Sequence, residues 1–187
     1  ITEVPGCLGI VGNLSGLTDI AFDTDSSSLD DKAFIKIMCG CPKLKNIFIR
    51  IETRIDQVGF TDYSLRKLPT YCPQIEKITL ISKTGVIKSI TDSSIISLAN
   101  LKNLESLILK SFEHVGDSII NVIKSCLKLN NLCLINCKMV TDATFLALIS
   151  AAKLQPHKKI KYSLIGTQMS NKKRKIPPNL FDNCNNL

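Results

Sequence analysis

Tryptophan is absent from this chain of 187 residues, and tyrosine and histidine are scarce, at three and two. His114 and His157 stand too far apart to form a paired H-x3-5-H half-site for zinc, and neither lies beside a nucleophile as a general base would. So few rings leave no platform on which the bases of a single strand could stack, which argues against nucleic acid as the partner. Long apolar runs are missing as well. The longest uncharged stretch, residues 4–18, is interrupted by Gly6, Gly9, Gly12 and Gly16, and it falls short of the ~20 apolar residues of a membrane span. No basic segment precedes it, as a secretory leader would require. Those glycines spell no G-x-G-x-x-G fingerprint for a dinucleotide. The expectation is a chain that is not an enzyme and that carries no cofactor, no metal and no membrane anchor.

Acidic residues are missing from one whole region. Between Asp142 and Asp182 there is none, whereas Lys153, Lys158, Lys159, Lys161, Lys172, Lys173, Arg174 and Lys175 all fall there. Without those eight, 16 basic residues face 16 acidic ones, so the formal charge of +8 belongs to the C-terminal part. Asn171-Lys-Lys-Arg-Lys175 followed by Ile176-Pro177-Pro178 shows no hydrophobic period. Residues 166–187 therefore read as a basic, largely disordered tail, solvated by default, with Lys172, Lys173, Arg174 and Lys175 as a candidate nuclear-targeting signal.

The chain is rich instead in self-similarity. Leu44-Lys-Asn-Ile47-Phe-Ile49, Ile75-Glu-Lys-Ile78-Thr-Leu80, Leu104-Glu-Ser-Leu107-Ile-Leu109 and Leu129-Asn-Asn-Leu132-Cys-Leu134 share one apolar-x-x-apolar-x-apolar pattern. Each is followed by a dipeptide ending in Asp (Thr61-Asp62, Thr91-Asp92, Gly116-Asp117, Thr141-Asp142) and then by a helix-spaced apolar run. The dipeptides lie 30, 25 and 25 residues apart, near the period of about 20–29 residues of leucine-rich repeats. A weaker first unit, Leu17-x-x-Ile20-x-Phe22 with Asp30-Asp31, and a ragged last one give about five to six repeats over residues 17–165. One repeat cannot bury its own apolar face, so a core forms only when neighbours stack. Residues 1–16 read as a Gly-rich lead-in without the polar cap on which such arrays open, hence as a truncated start.

The eight cysteines follow the repeat and not a disulfide framework. Cys41, Cys72 and Cys126 each stand three residues before a strand motif, where other units carry Leu101 and Ala151. A position that accepts Cys, Leu or Ala is a small buried apolar site near a helix end. Cys39 and Cys41 lie two apart and Cys133 and Cys137 four apart, but one member of each pair is already explained by the repeat. A reducing compartment, cytosol or nucleus, suits such thiols.

Within each unit the apolar spacing switches from two, a strand with one buried face, to three or four, an amphipathic helix. Thr61, Thr91 and Thr141 are natural N-caps, and the Asp after each sits where the helix dipole favours an anion. On the strands, the x positions point away from the core. They form one column of Ala21, Phe48, Thr79, Ile108, Cys133 and another of Asp23, Arg50, Ile81, Lys110, Ile135. Phe48, Arg50, Ile81, Ile108, Lys110 and Ile135 are the candidate partner-binding residues, since Arg and aromatic side chains anchor protein interfaces. The longer strand-to-helix segments 51–60 and 81–90 are further candidates, with surface loops as the plainer reading.

The Cys-Pro-x-Leu step into L-x-x-L-x-L, ending in Cys and followed by Thr-Asp-x-x-Leu, resembles the cysteine-containing leucine-rich repeats of F-box/LRR proteins and their mitotic-exit-antagonist-like relatives. Cys126-Leu-Lys-Leu129-Asn-Asn-Leu132-Cys-Leu134-Ile-Asn-Cys137-Lys-Met-Val-Thr141-Asp142 carries it best, and Lys83, Glu52 and Phe112 depart from it at the place of Cys137. The resemblance implies an α/β leucine-rich-repeat solenoid, a ribonuclease-inhibitor-like horseshoe segment with parallel strands on the concave side and helices on the convex side. It implies a monomeric module that recruits a protein substrate on its concave face, in the cytoplasm or nucleus. In that family a separate F-box docks the adaptor of a cullin-type ubiquitin ligase. No such module precedes Leu17, so the sequence reads as a substrate-recognition fragment, with the ligase adaptor as a partner only if an F-box lies upstream. The alternative is a stand-alone leucine-rich-repeat adaptor without a ligase role.

Overall fold

The computed structural model describes residues 7–25, 28–52, 59–169 and 176–182. A 3₁₀ helix (Cys7–Asn13) is followed by β1 (Asp19–Asp25), α1 (Asp31–Gly40), β2 (Asn46–Glu52), α2 (Asp62–Leu65), α3 (Leu68–Tyr71) and β3 (Lys77–Thr84). Then come β4 (Ile87–Thr91), α4 (Asp92–Leu98), β5 (Ser106–Lys110), β6 (Phe112–His114), α5 (Ile119–Ser125), β7 (Asn131–Ile135), α6 (Asp142–Leu154), β8 (Ile160–Ile165) and β9 (Leu180–Asp182). Strands β1, β2, β3, β5, β7, β8 and β9 make one seven-stranded parallel sheet in that order, and β4 pairs with β6 in a second, two-stranded sheet. The fold is α/β, with a parallel main sheet whose strands follow chain order and, from β1 to β8, are joined through helices. No helix among the described residues is long and apolar enough to cross a membrane.

The strand motif sets the core. Ile47, Ile78, Leu107 and Leu132 stand opposite one another in register, as do Ile49, Leu80, Leu109 and Leu134, and all are buried. Each such side chain removed from water contributes roughly 1.5–3 kcal/mol. Along β2 the alternation is complete, with Ile47, Ile49 and Ile51 inside and Phe48, Arg50 and Glu52 outside. The turn before each strand is stitched to the preceding unit. Lys45 and Asn46 donate their N–H groups to the Thr18 carbonyl, Glu76 and Lys77 to Lys45, Glu105 and Ser106 to Glu76, and Asn130 and Asn131 to Glu105.

The Thr-Asp dipeptides do more than cap their own helices. The Thr61, Thr91 and Thr141 hydroxyls accept from the N–H of Tyr63, Ser93 and Ala143, as N-caps do. Each of these threonines also donates to the Asp one unit earlier. Asp31 accepts from the Thr61 N–H and hydroxyl at 2.7 Å each, and Asp62 from those of Thr91 at 2.8 and 2.6 Å. Asp117 accepts from both groups of Thr141 at 3.0 and 2.5 Å and from the Thr144 hydroxyl at 2.7 Å. Where the threonine is missing, the Gly116 N–H and the Ser118 hydroxyl take its two roles toward Asp92. Buried Ser64 and Ser94 close the turn by donating to the Thr61 and Thr91 carbonyls.

The cysteines also act across units. The buried Cys72 thiol faces the Met38 and Cys41 carbonyls, and that of Cys126 faces Leu98 and Ala99, at the end of the preceding helix. These carbonyls lie in the last helical turn or its cap, where intrahelical partners run out, and those of Cys41, Leu98 and Ala99 also accept from the Leu44 N–H, the Leu101 N–H and the Lys102 ammonium. The site is therefore a weak donor as well as a small hydrophobe. Burial pushes the Cys72 thiol up to about 12 and those of Cys126 and Cys137 up to about 11. Cys39, Cys41, Cys72, Cys126, Cys133 and Cys137 are free, and Cys39 is exposed.

Three expectations need correction. The lead-in 1–16 contains the 3₁₀ helix, which packs on α1. Its Val11 carbonyl accepts from the Cys41 thiol, as a preceding repeat helix would, and a Cβ on Gly40 would fall 1.5 Å from the Gly12 carbonyl oxygen. The segment 81–90 is no plain surface loop: it completes β3, bends at Gly85 with φ of 71° and enters β4. The segment 53–58 of the other long connection lies outside the described residues. In the tail 166–187, β9 joins the sheet, and Asn179 donates to the Ala152, Gln155 and Lys158 carbonyls after α6. A buried leucine, Leu180, and an amide that meets three carbonyls outweigh the lack of hydrophobic period there.

Asp117→Ala removes one acceptor from three donors and should cost about 2 kcal/mol, a fall of roughly 5 °C in Tm for a chain of this size. Burial alone would raise the Asp31 and Asp117 carboxyls, yet the hydrogen bonds of Ser64 and Thr61, and of Thr141 and Thr144, hold both below the usual range. A depressed folded-state value means stability that is full above the unfolded carboxylate value near ~4 and is lost as pH falls below it. Thermal melts should therefore be flat with respect to these two groups above about pH 5 and lose stability below about pH 4. Native alkylation at pH near ~8, read by peptide mapping, should label Cys39 rapidly and leave Cys72, Cys126 and Cys137 unlabelled until the chain is unfolded.

Candidate functional site

The outer face of the main sheet carries three rows of side chains, fixed by strand register. Nearest the strand starts, Asp19, Asn46, Lys77, Ser106, Asn131 and Lys161 align. The middle row is Ala21, Phe48, Thr79, Ile108, Cys133 and Ser163, and the row nearest the strand ends is Asp23, Arg50, Ile81, Lys110, Ile135 and Ile165. Parallel in-register pairing thus assembles the two columns read from the sequence, because every unit places its motif at the same point of its strand.

Five of the six candidate residues converge on one cavity. Arg50, Ile81, Ile108, Lys110 and Ile135 line a recess of about 600 Å³ together with Ser82, Lys83, Gly85, Ser111 and Asn136. Phe48 stands one row away, 37% exposed, between Ala21 and Thr79. Ile135 is only 9% exposed and its neighbour Cys133 only 3%, so the outward-facing column is partly closed at β7. There the register neighbours Ile108, Lys110 and Ile165 leave little open surface at a strand spacing of about 4.8 Å. Lys172, Lys173, Arg174 and Lys175 lie outside the described residues.

The recess is cationic with an aliphatic floor. The Arg50 guanidinium donates from Nε to Asp23 at 2.9 Å, and its second nitrogen and the Lys83 ammonium meet the same carboxylate. The hydrogen bond from Arg50, then that from Lys83, holds the Asp23 carboxyl below the usual range. Lys110 makes no ion pair among the described residues. Three cations and one carboxylate therefore surround Ile81, Ile108 and Ile135, an arrangement suited to an acidic side chain beside an aliphatic one. Among the described residues no three His, Cys, Asp or Glu side chains are grouped as metal ligands.

Sequence reasoning missed Ser111 and Asn136. Lys83 falls in the candidate segment 81–90, and because it follows Ile81 by two it shares its face. Ser111 and Asn136 take φ of 66° and 55° directly after the last residue of β5 and β7, as Gly166 does at 65° after β8. Asn tolerates that left-handed region, but Ser111 gave no such signal.

No protein-family model and no curated protein matches this chain. Among solved structures, 19 chains match. One belongs to the crystal structure of the Rad7 and Elc1 complex in yeast, with a TM-score of 0.50 and 16% identity over 84% of this chain and 45% of that chain. At that identity the likeness concerns the fold, and this chain spans less than half the length of the chain it matches.

Proposed function

We propose that this chain is a protein-recognition module of the cysteine-containing leucine-rich-repeat type, with no enzymatic activity of its own. Its strands line the concave side of a curved solenoid, its helices form the convex side, and it recruits a protein substrate to an F-box/LRR receptor of a cullin-type ubiquitin ligase. The observation that carries the reading is the register-aligned outer face, on which Arg50, Ile81, Ile108, Lys110 and Ile135 from four successive strands share one recess. A binding surface built from many units is what stacked repeats provide, and its mixture of aliphatic floor and guanidinium suits a protein anchor. The fold-level likeness to a chain crystallised with a protein partner supports the same class of function. The module works as a monomer in the cytosol or nucleus, where its free thiols stay reduced.

Quantitative mass spectrometry on the full-length protein, purified from its native cells, should recover a cullin and its adaptor in amounts comparable to the bait. Their absence from a preparation that retains other partners would leave a stand-alone repeat adaptor. Arg50→Glu combined with Lys110→Glu should weaken capture of the recruited substrate by about tenfold or more. The same change should cost at most about 1 kcal/mol of stability, because among the described residues the one ion pair it breaks, Arg50 with Asp23, is exposed. Undiminished capture would move the binding surface off this face.

A further inference from the structure

The other end of the same face, where the strands begin, carries a separate notch. Lys77 on β3 and Lys161 on β8 occupy equivalent positions, linked in register through Ser106 and Asn131. The turns before the strands add Glu105, Asn130, Lys158 and Lys159, and together these eight residues enclose about 600 Å³. Four lysines and one carboxylate give the notch a net charge of +3. Lys158 is partly buried, its ammonium donates to the Leu127 carbonyl at the end of the α5 unit, and burial holds it below the usual lysine range. Lys77, Lys159 and Lys161 are exposed and make no ion pair among the described residues. This is where the basic, acid-free stretch after Asp142 meets the sheet.

We propose that this notch binds an extended acidic segment of a partner protein, laid across the starts of strands β3, β5, β7 and β8. The span supports an extended chain: three strand spacings separate Lys77 from Lys161, about 14 Å, which matches roughly four residues of extended polypeptide. The Asn130 amide and the Ser106 hydroxyl add polar groups between the lysines. The lining favours polypeptide over nucleic acid. It holds no aromatic ring for base stacking and no arginine, and so short a span would meet only a few phosphates. The occupant comes from another molecule, because the longest acidic run in this chain is Asp30-Asp31. The proposal is independent of the ligase reading, since it uses none of the residues of the Arg50 recess.

The test is fluorescence anisotropy with labelled hexaglutamate, using the full chain. Binding should weaken with added salt, and Lys77→Ala, Lys159→Ala and Lys161→Ala together should weaken it by roughly tenfold. A variant with Lys172, Lys173, Arg174 and Lys175 all changed to alanine should bind as the unmodified chain does. The proposal is overturned if the tail variant loses as much as the notch variant, if an oligothymidylate of equal charge binds more tightly than the peptide, or if hexaglutamate does not bind. Because the three substituted lysines are exposed, circular dichroism should be unchanged. Should the triple variant misfold, Lys161→Glu alone must still reduce binding for the proposal to stand.

Discussion

The hydrogen bonds between consecutive units are the interaction on which the rest of this structure depends. A short helix leaves its first N–H groups and last carbonyls without intrahelical partners, and several of the helices here are too short to be stable alone. The chain solves both ends with its neighbours. The carboxylates of Asp31, Asp62, Asp92 and Asp117 each take a backbone N–H and a hydroxyl from the next unit, while the Cys72, Cys126 and Asn179 side chains meet carbonyls of the preceding helix. A unit removed from the stack would expose those groups as well as its apolar face, so neighbours specify one another.

That arrangement leaves the outer face largely free of structural duty. Beyond the strand ladders, polar contacts between units concentrate at the helix ends and at the turns before the strands, and the inward positions of the strands are mostly aliphatic, with Thr24, Ser82 and Tyr162 among the exceptions. Few of the outward positions are needed to hold neighbouring units together. Exceptions such as the Asn131 amide on the Ser106 hydroxyl at 2.9 Å and Arg50 on Asp23 tie adjacent strands, and the Arg50 contact also positions a cation at the recess.

Much of this was legible in the sequence, for a physical reason. Parallel strands that follow chain order place equivalent residues side by side, so a motif aligned by eye becomes a column in space. Phe48 beside Thr79, and Arg50 beside Ile81 and Lys110, needed only the repeat length. What the sequence hid depends on contacts between units. The Asp residues are visible as helix-start residues, but nothing local says that their carboxylates reach the next threonine. Cys126 looks like a small hydrophobe until the carbonyls of Leu98 and Ala99 stand over its thiol. The β4 strand lies in a segment whose extra length resembled a loop, and its buried Ile87 stands beside buried Phe112 of β6, a pairing across units that nothing local announces. Leu180 was missed for the opposite reason, as a single apolar residue in a basic tail that finds its place against β8.

Charge completes the picture, because the two ends of the face are not equivalent. At the strand ends, Arg50 and Lys83 are held by one carboxylate, Asp23, which fixes them as part of a shaped recess. At the strand starts, Lys77, Lys159 and Lys161 lack such a partner among the described residues, and the one lining carboxylate, Glu105, faces four ammonium groups. Like charges gathered on one edge repel one another, and here nothing in the packing requires them, since Lys77, Lys159 and Lys161 are exposed. The paired end has the geometry of a specific anchor, while the unpaired end has a field that reaches outward over about a Debye length. Under the two proposals, a partner at this face would meet attraction at one edge and shape at the other, the usual division between what sets association rate and what sets residence time.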